Sequence, residues 1–352
     1  MSRLGVFAAT AAACATVVAL PATEAHAQQF VPCSATALRS AINLANTVPG
    51  PAVLFLSPGC TYTLTAPDNP GNGLPVVTSD INILGAGSTI RRQSATDFRL
   101  FKVSGPTGRL TLNNLTVRDG RSASGGEGGG GIHAGPGTTL TLNNVEVTRN
   151  FAGQTGPGGG ILSYGTLTLR NSTVSYNITT NTGGGVSTSG ATNISNTTIT
   201  GNTAKDDGGG LDAANGSLTL TGSRVTDNAA RFFGAGINTY QLTGTVTDTL
   251  IRGNSAAENA GGGVYNRSST LTLERTTVFA NRALSSGARG GGLANASDAT
   301  LNVRNSSVTN NFSHTAPGGI FNDGGTVTLT ATPVTDNYPT NCAPSVIAGC
   351  VN

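Results

Sequence analysis

The chain has 352 residues, of which 50 are glycine, none is tryptophan and only 11% are charged. Such a low charge content argues against a disordered tail, and such a low aromatic content argues against an ordinary globular core. The formal net charge of +3 is spread along the chain with no basic stretch interleaved with aromatic residues, so we expect no nucleic-acid partner.

The first 27 residues have the features of a secretion signal. Arg3 provides a short positive region, residues 4–20 are apolar and rich in alanine, and Ala25-His26-Ala27 is a small-x-small cleavage pattern. A membrane anchor is less favoured, because the apolar run is short and a cleavage site follows it. We therefore predict a signal peptide at 1–27. The mature chain then starts at Gln28, is extracellular or loosely bound to the cell wall, and has no membrane span.

Residues 28–107 are predicted to combine a capping helix with irregular first coils. Ser34 can cap a helix. The apolar positions after it have helical spacing: Leu38, Ala41, Ile42 and Ala45. Such a helix would close one end of a solenoid, which otherwise exposes a strand edge and an apolar core.

Residues 108–337 contain two sequence anchors that recur together. One is a glycine-rich tripeptide followed by an aliphatic residue, first at Ile132 and last at Ile320. The other is Leu-x-Leu with a later aliphatic residue and an asparagine, as in Leu140, Leu142, Val147 and Asn150. Their period is about 26 to 27 residues, which is typical of a repeat protein.

Each repeat contains short runs that alternate inward and outward at the period of a β-strand, and none has the length of a helical pattern. One repeat cannot bury its own apolar face, whereas stacked repeats share a continuous core. We therefore predict an all-β fold: a single-stranded, right-handed parallel β-helix of about nine coils. We expect it to be a monomer.

One asparagine per repeat is predicted to form a hydrogen-bonded ladder along a turn of the solenoid. The members are Asn150, Asn177, Asn202, Asn228, Asn254, Asn281, Asn311 and Asn337. A row of amides can also bind a polymer, but a ladder that closes a turn explains the spacing without a ligand. We therefore favour a structural role.

Four cysteines remain after removal of Cys14 with the signal. They are Cys33, Cys60, Cys342 and Cys350, and they allow three pairings. The pairs 33–60 and 342–350 are favoured, because the two ends of a long rod cannot meet. The second pair would close a C-terminal cap at 338–352. No histidine lies near a cysteine, so we predict no metal site.

The Gly-Gly-Gly-aliphatic and Val-x-x-Asn anchors resemble the repeats of the polymorphic outer membrane protein family. The segment from Cys33 through Leu38-Arg39 also resembles the CSLREA-type segment of secreted bacterial β-helix proteins, with three extra residues between the cysteine and the Leu-Arg pair. These resemblances cover about residues 33–342. They imply the fold of the pectate-lyase-like superfamily, whose members include both enzymes and adhesins.

A group of aspartates in the middle of the repeats is the best candidate for catalysis. Asp206, Asp207 and Asp212 lie close in sequence, and Asp227 follows. The Asp206-Asp207 pair resembles that of polygalacturonase-like hydrolases, but their Gly-His-Gly and Arg-x-Lys motifs are absent from this chain. Because turns select aspartate for local hydrogen bonds, a solvated turn before Gly208 is the favoured interpretation.

Two further sets of residues, the histidines and several arginines, carry groups that can take part in catalysis or binding. Neither His133 nor His314 has an obvious carboxylate partner in the sequence, so a catalytic triad has no support. Several arginines are predicted to lie near equivalent outward positions. They are Arg149, Arg224, Arg252, Arg275 and Arg304. A weak basic stripe for an anionic polysaccharide is one interpretation, but surface arginines that only solvate the rod are more common.

Two classes of function follow from these patterns. The favoured one is a non-catalytic extracellular scaffold for adhesion or for contact with a polysaccharide or a surface partner. The alternative is a lyase or glycoside hydrolase that acts on an acidic polysaccharide. Only under the lyase alternative does the superfamily resemblance imply a cofactor, Ca²⁺ with an arginine base. Convergence of the four aspartates in one groove would favour the enzyme.

Overall fold

A computed structural model describes residues 27–48, 50–122, 127–153, 156–344 and 346–352. The predicted signal peptide, including Cys14, therefore lies outside the described residues except for Ala27, whose backbone begins the first strand. Within the described residues, no helix has the length and hydropathy that crossing a membrane requires.

The predicted right-handed parallel β-helix with one N-terminal helix is confirmed. It has about 11 turns rather than the expected nine, because irregular N-terminal strands add coils that lack the sequence anchors. The N-terminal elements are β1 (Ala27–Val31), α1 (Ala35–Thr47), β2 (Ala52–Leu56), β3 (Thr61–Leu64), β4 (Asp80–Arg92), β5 (Phe101–Val103), β6 (Arg109–Arg118), β7 (Arg121–Ser122), β8 (Ile132–Ala134), β9 (Thr139–Thr148) and β10 (Phe151–Ala152).

The following coils contribute four short strands each, except the last, which contributes three before a final strand begins a further turn. The first three of these coils contain the strands β11 (Ile161–Ser163), β12 (Thr166–Arg170), β13 (Thr173–Ser175), β14 (Ile178–Thr179), β15 (Val186–Thr188), β16 (Ala191–Ser195), β17 (Thr198–Thr200), β18 (Thr203–Ala204), β19 (Leu211–Ala214), β20 (Ser217–Thr221), β21 (Arg224–Thr226) and β22 (Ala229–Ala230). The remainder are β23 (Ile237–Tyr240), β24 (Thr243–Thr247), β25 (Leu250–Arg252), β26 (Ser255–Ala256), β27 (Val264–Arg267), β28 (Thr270–Glu274), β29 (Thr277–Phe279), β30 (Arg282–Ala283), β31 (Leu293–Ala296), β32 (Thr300–Arg304), β33 (Ser307–Thr309), β34 (Phe312–Ser313), β35 (Ile320–Asp323), β36 (Thr326–Thr330), β37 (Val334–Thr335) and β38 (Cys342–Pro344).

These strands form three parallel sheets of 20, 10 and 8 strands. In one coil, β11 belongs to the 10-stranded sheet, β12 and β13 to the 20-stranded sheet, and β14 to the 8-stranded sheet. The corners use left-handed backbone, at Asn171 (φ 49°) and Tyr176 (φ 54°). Asparagine tolerates this conformation better than most residues, which explains its frequency at the first corner.

Aliphatic rows fill the inside of the solenoid. The register pairs Leu142 with Leu169 and Ile161 with Val186, and the same pairing continues from coil to coil. These side chains are fully buried, so each coil covers the apolar edge of the next. Burial in rows is the main source of stability in a repeat fold.

The glycine tripeptides are required by close approach of neighbouring coils. A Cβ on Gly160 would lie 2.7 Å from the carbonyl oxygen of Gly185 and 2.9 Å from Cγ of Asn177. Both contacts are shorter than side chains tolerate. Glycine therefore allows the chain to pass directly beside the asparagine row.

Helix α1 covers the N-terminal end of the core with the apolar side chains that the sequence predicts: Leu38, Ala41, Ile42 and Ala45. Ser34 occupies the N-cap position, but its side chain makes no capping hydrogen bond. Its carbonyl oxygen accepts the first helical hydrogen bond, from the amide of Leu38 at 3.0 Å. The expectation of a side-chain cap was therefore wrong.

Disulfide bonds join chain segments at both ends of the solenoid. One links Cys33, just before α1, to Cys60, and the other links Cys342 in β38 to Cys350. Strand β38 pairs with β35 and so ends the 10-stranded sheet. Each bond thus ties an irregular terminal segment to the stacked coils.

Candidate functional site

The asparagines of the predicted ladder lie in one buried row at the corner before the 8-stranded sheet. Asn177 shows the pattern: its Nδ2 donates to Oδ1 of Asn202 at 3.0 Å and to the carbonyl oxygen of Val147 at 2.9 Å. The backbone amide of Asn177 donates to the same Oδ1 of Asn202. All seven successive pairs have Nδ2–Oδ1 distances of 2.9–3.0 Å. These amides are fully engaged with one another and leave little capacity for a ligand.

A second, shorter asparagine row was not predicted from the sequence. Nδ2 of Asn266 donates to Oδ1 of Asn295 at 2.8 Å, and Nδ2 of Asn295 donates to Oδ1 of Asn322 at 2.9 Å. Each asparagine lies two residues after the aliphatic residue of the glycine anchor, as in Val264 and Asn266. That offset was the available signal, but it holds in only three coils.

The four candidate aspartates do not converge. Asp206 and Asp207 lie in the loop before β19, and Asp212 lies within β19. Asp227 is exposed at the corner after β21, between the 20-stranded and the 8-stranded sheets. The structure therefore groups three of the four and excludes Asp227 from the group.

Asp207 and Asp212 both lie in environments that disfavour the ionised carboxylate. The pKa of Asp207 is raised to about 6, mainly by burial and in smaller part by the charges of Asp212 and Asp206. The backbone amide of Phe233, which donates to Oδ1 of Asp207 at 3.0 Å, opposes the rise. Burial also raises the pKa of Asp212. Asp212 accepts hydrogen bonds from Nδ2 of Asn238 at 2.7 Å and from Oγ of Ser187 at 3.4 Å.

Asp212 belongs to a column of side chains on the 10-stranded sheet that we call the outward row. It contains one residue from the middle of each strand, in register and pointing away from the core. Its members from β5 to β35 are Lys102, His133, Leu162, Ser187, Asp212, Asn238, Tyr265, Ala294 and Phe321. Unlike the asparagine ladder, this row has a different residue on every coil.

A group of charged and polar side chains lies at the N-terminal end of the outward row. We call it the Arg99 cluster, and it comprises Arg99, Lys102, Glu127 and His133. Nη1 of Arg99 lies 2.6 Å from Nδ1 of His133, and Nζ of Lys102 lies 2.5 Å from Oε2 of Glu127. Oε2 of Glu127 also lies 3.3 Å from both Nη1 of Arg99 and Nδ1 of His133.

The Arg99 cluster has a buried floor and an open rim. Arg99 and His133 are each 4% exposed, whereas the side chain of Glu127 is 58% exposed. The ring of Tyr164, which is also exposed, meets the His133 ring edge-on with centroids 5.9 Å apart. Buried guanidinium groups are normally fully paired, yet Nε of Arg99 has no hydrogen-bond partner among the described residues.

His133 is neutral at neutral pH. Its pKa is lowered to about 4, mainly by burial and then by the charge of Arg99, and Glu127 only partly opposes this. Because arginine can only donate, Nδ1 of His133 must accept from Arg99, so its hydrogen is on Nε2. Burial also raises the pKa of Tyr164, which therefore keeps its phenolic proton.

Two expectations about basic residues were wrong. His133 does have a carboxylate neighbour, Glu127, six residues earlier in the chain. The five arginines do not lie near equivalent positions: they occupy five different register positions and form no common column. For example, Arg224 pairs with Leu250 while Arg252 pairs with Phe279. His314 is exposed in the loop after β34. In the described part of the chain, no three histidine, cysteine or acidic side chains are grouped as a metal site.

No protein-family model matches the chain, and no curated protein matches its sequence. Among solved structures, the chain is similar to the A-module of a mannuronan C-5 epimerase from Azotobacter vinelandii. The sequence identity is 16%, the TM-score is 0.40, and the match covers 89% of this chain and 96% of that one. A likeness at this level gives no information about the chemistry of this chain.

Proposed function

We propose that this protein is an exported, non-catalytic β-helix that binds an acidic glycan, and that the Arg99 cluster holds a carboxylate of that glycan. The observation that carries the proposal is the convergence of two cationic donors, Nη1 of Arg99 and Nζ of Lys102, on one point at the surface. Cationic donors directed at one point are the usual means of holding a carboxylate.

The layout of the cluster supports binding of a large ligand from solvent. Arg99 is fixed beneath the surface, while Lys102 and Tyr164 are reached from outside. An exposed aromatic ring beside a cationic group offers a polysaccharide both an apolar surface and a charge partner. The unpaired Nε of Arg99 adds a donor that is not satisfied within the described residues.

The same geometry favours binding over elimination. A lyase must remove a proton next to the sugar carboxylate, which requires a base. Nδ1 of His133 is occupied by Arg99, and burial keeps the proton on Tyr164. Arg99 and Lys102 are donors, and the hydrogen bond from Lys102 lowers the pKa of Glu127, which makes that carboxylate a weak base.

Export is the second part of the proposal. Two disulfide bonds support folding in an oxidising compartment, because reducing conditions inside cells disfavour them. The predicted signal at 1–27 supplies the route. An extracellular glycan would then be accessible to the cluster.

The test uses titration calorimetry of the purified protein with uronate oligosaccharides and with neutral oligosaccharides of equal length. Lys102→Ala should weaken uronate binding about 10- to 100-fold, because a charge-assisted hydrogen bond is lost. Lys205→Ala is the matched control, since Lys205 is the other lysine of the chain and lies in the loop after β18. Equal binding of neutral sugars, or an equal loss in both variants, would contradict the proposal.

Hydrolysis is a second candidate, favoured by the pKa of about 6 at Asp207, which suits a general acid. The same incubations, followed for new reducing ends and for the ultraviolet absorbance of unsaturated uronates, separate the activities. Reducing ends that disappear in Asp207→Asn but persist in Lys102→Ala would identify hydrolysis at the aspartates. Unsaturated products would identify a lyase.

A further inference from the structure

Glu127 occupies the position at which the proposed glycan carboxylate would be held. Its Oε2 lies 3.3 Å from Nη1 of Arg99, 2.5 Å from Nζ of Lys102 and 3.3 Å from Nδ1 of His133. Arg99 and Lys102 therefore already bind a carboxylate, and that carboxylate belongs to the protein itself.

The attachment of Glu127 differs from that of the groups it contacts. Arg99 is buried and Lys102 lies within strand β5, whereas Glu127 belongs to a connecting segment and its side chain is 58% exposed. Gly128 and Gly129 follow it with φ of 83° and 63°, a conformation that glycine adopts freely. The side chain is held by ion pairs at the surface, and such pairs are individually weak because water and salt screen them.

We infer that Glu127 is an intramolecular competitor for the glycan carboxylate. In the free protein it neutralises Lys102 and Arg99 and keeps their side chains directed at the site. A bound glycan replaces it with a carboxylate of its own, so its side chain moves into solvent. The inference rests on the proposed function, because it assumes that the Arg99 cluster is the binding site.

The chemistry on both sides of this exchange is the same. One carboxylate leaves the cations and another takes its place. Glycan binding is therefore weaker by the stabilisation that is lost when the Glu127 ion pairs break. Removal of the charge of Glu127 should therefore increase the affinity for a uronate. An ordinary structural ion pair, or a carboxylate that binds sugar hydroxyl groups, predicts no change or a loss.

The test compares Glu127→Gln with wild type by calorimetry with a uronate trisaccharide. We expect about three- to tenfold tighter binding, which corresponds to the strength of a surface ion pair. Glu258→Gln is the matched control, because Glu258 lies in the equivalent loop five coils later and pairs with Arg231 at 2.8 Å. That variant should bind like wild type.

The other outcomes separate the two proposals. If wild type binds the uronate and Glu127→Gln binds equally or more weakly, Glu127 is not a competitor, while the binding site stands. If only Glu127→Gln binds, the competitor dominates in the free protein and the inference holds. If neither protein binds, both the proposed function and the inference are wrong.

Discussion

The asparagine ladder and the outward row are both columns to which each coil contributes one side chain, yet only one of them is uniform. In the ladder, each Asn Oδ1 accepts both from the backbone and from Nδ2 of the preceding asparagine. In the outward row, Lys102, His133 and Leu162 follow one another with no shared chemistry. A column whose side chains hydrogen-bond to one another permits one residue type. A column without that requirement can vary from coil to coil, and so it can form a binding site.

Disruption of the ladder should give the largest effect. Asn202→Ala removes the acceptor for both the backbone amide and Nδ2 of Asn177 and leaves the carbonyl oxygen of Val174 without its donor. Because these groups are buried, we expect the free energy of unfolding to fall by about 3–5 kcal/mol. Denaturant unfolding followed by circular dichroism measures this. Asn193→Ala, on the exposed face of β16, is the control, and equal losses in the two variants would show that the ladder adds nothing.

The outward row should respond to pH instead, first at His133. Its pKa is about 4 in the folded protein and 6.5 in the unfolded chain, so unfolding takes up a proton between these values. Stability from this residue is complete above pH 6.5 and is lost as the pH falls towards 4, by about 3 kcal/mol. His133→Gln should flatten the loss, and His314→Gln, in an exposed loop, should not. Identical pH profiles for wild type and His133→Gln would contradict the buried neutral state.

A smaller effect of opposite sign is expected at Asp207. Its pKa rises from 3.8 to about 6 on folding, so the ionised carboxylate is disfavoured in the fold. The loss of stability caused by an ionised Asp207 in the folded protein is absent below pH 3.8 and complete above pH 6. Asp207→Asn should therefore stabilise the protein above pH 6 by roughly 1–2 kcal/mol, a value reduced from the full shift because the group is partly solvated. Thermal unfolding at pH 4 and pH 7 tests this; stabilisation at pH 4 alone would reverse the assignment.

The repeated features of the fold could be predicted from the sequence, because a residue type that recurs at a fixed interval marks the same buried position in each coil. Leu142 and Asn150 each recur at a fixed interval, and stacking forces equivalent residues into one row. The Arg99 cluster could not be predicted in this way. Lys102 lies in a coil that lacks the glycine anchor, so its pairing with His133 is not apparent, and Glu127 stands alone within a glycine run.

The parallel, in-register stacking of coils also sets a unit of length. His133 and Asp212 lie three strands apart in the outward row, which corresponds to about 14 Å at the usual strand spacing. Gain or loss of one whole coil leaves the core, the glycine contacts and the ladder matched on both sides, but it changes this separation by one step of about 4.8 Å. Insertion or deletion of whole coils during evolution can therefore change the distance between two sites in discrete steps while the residues of each site stay the same.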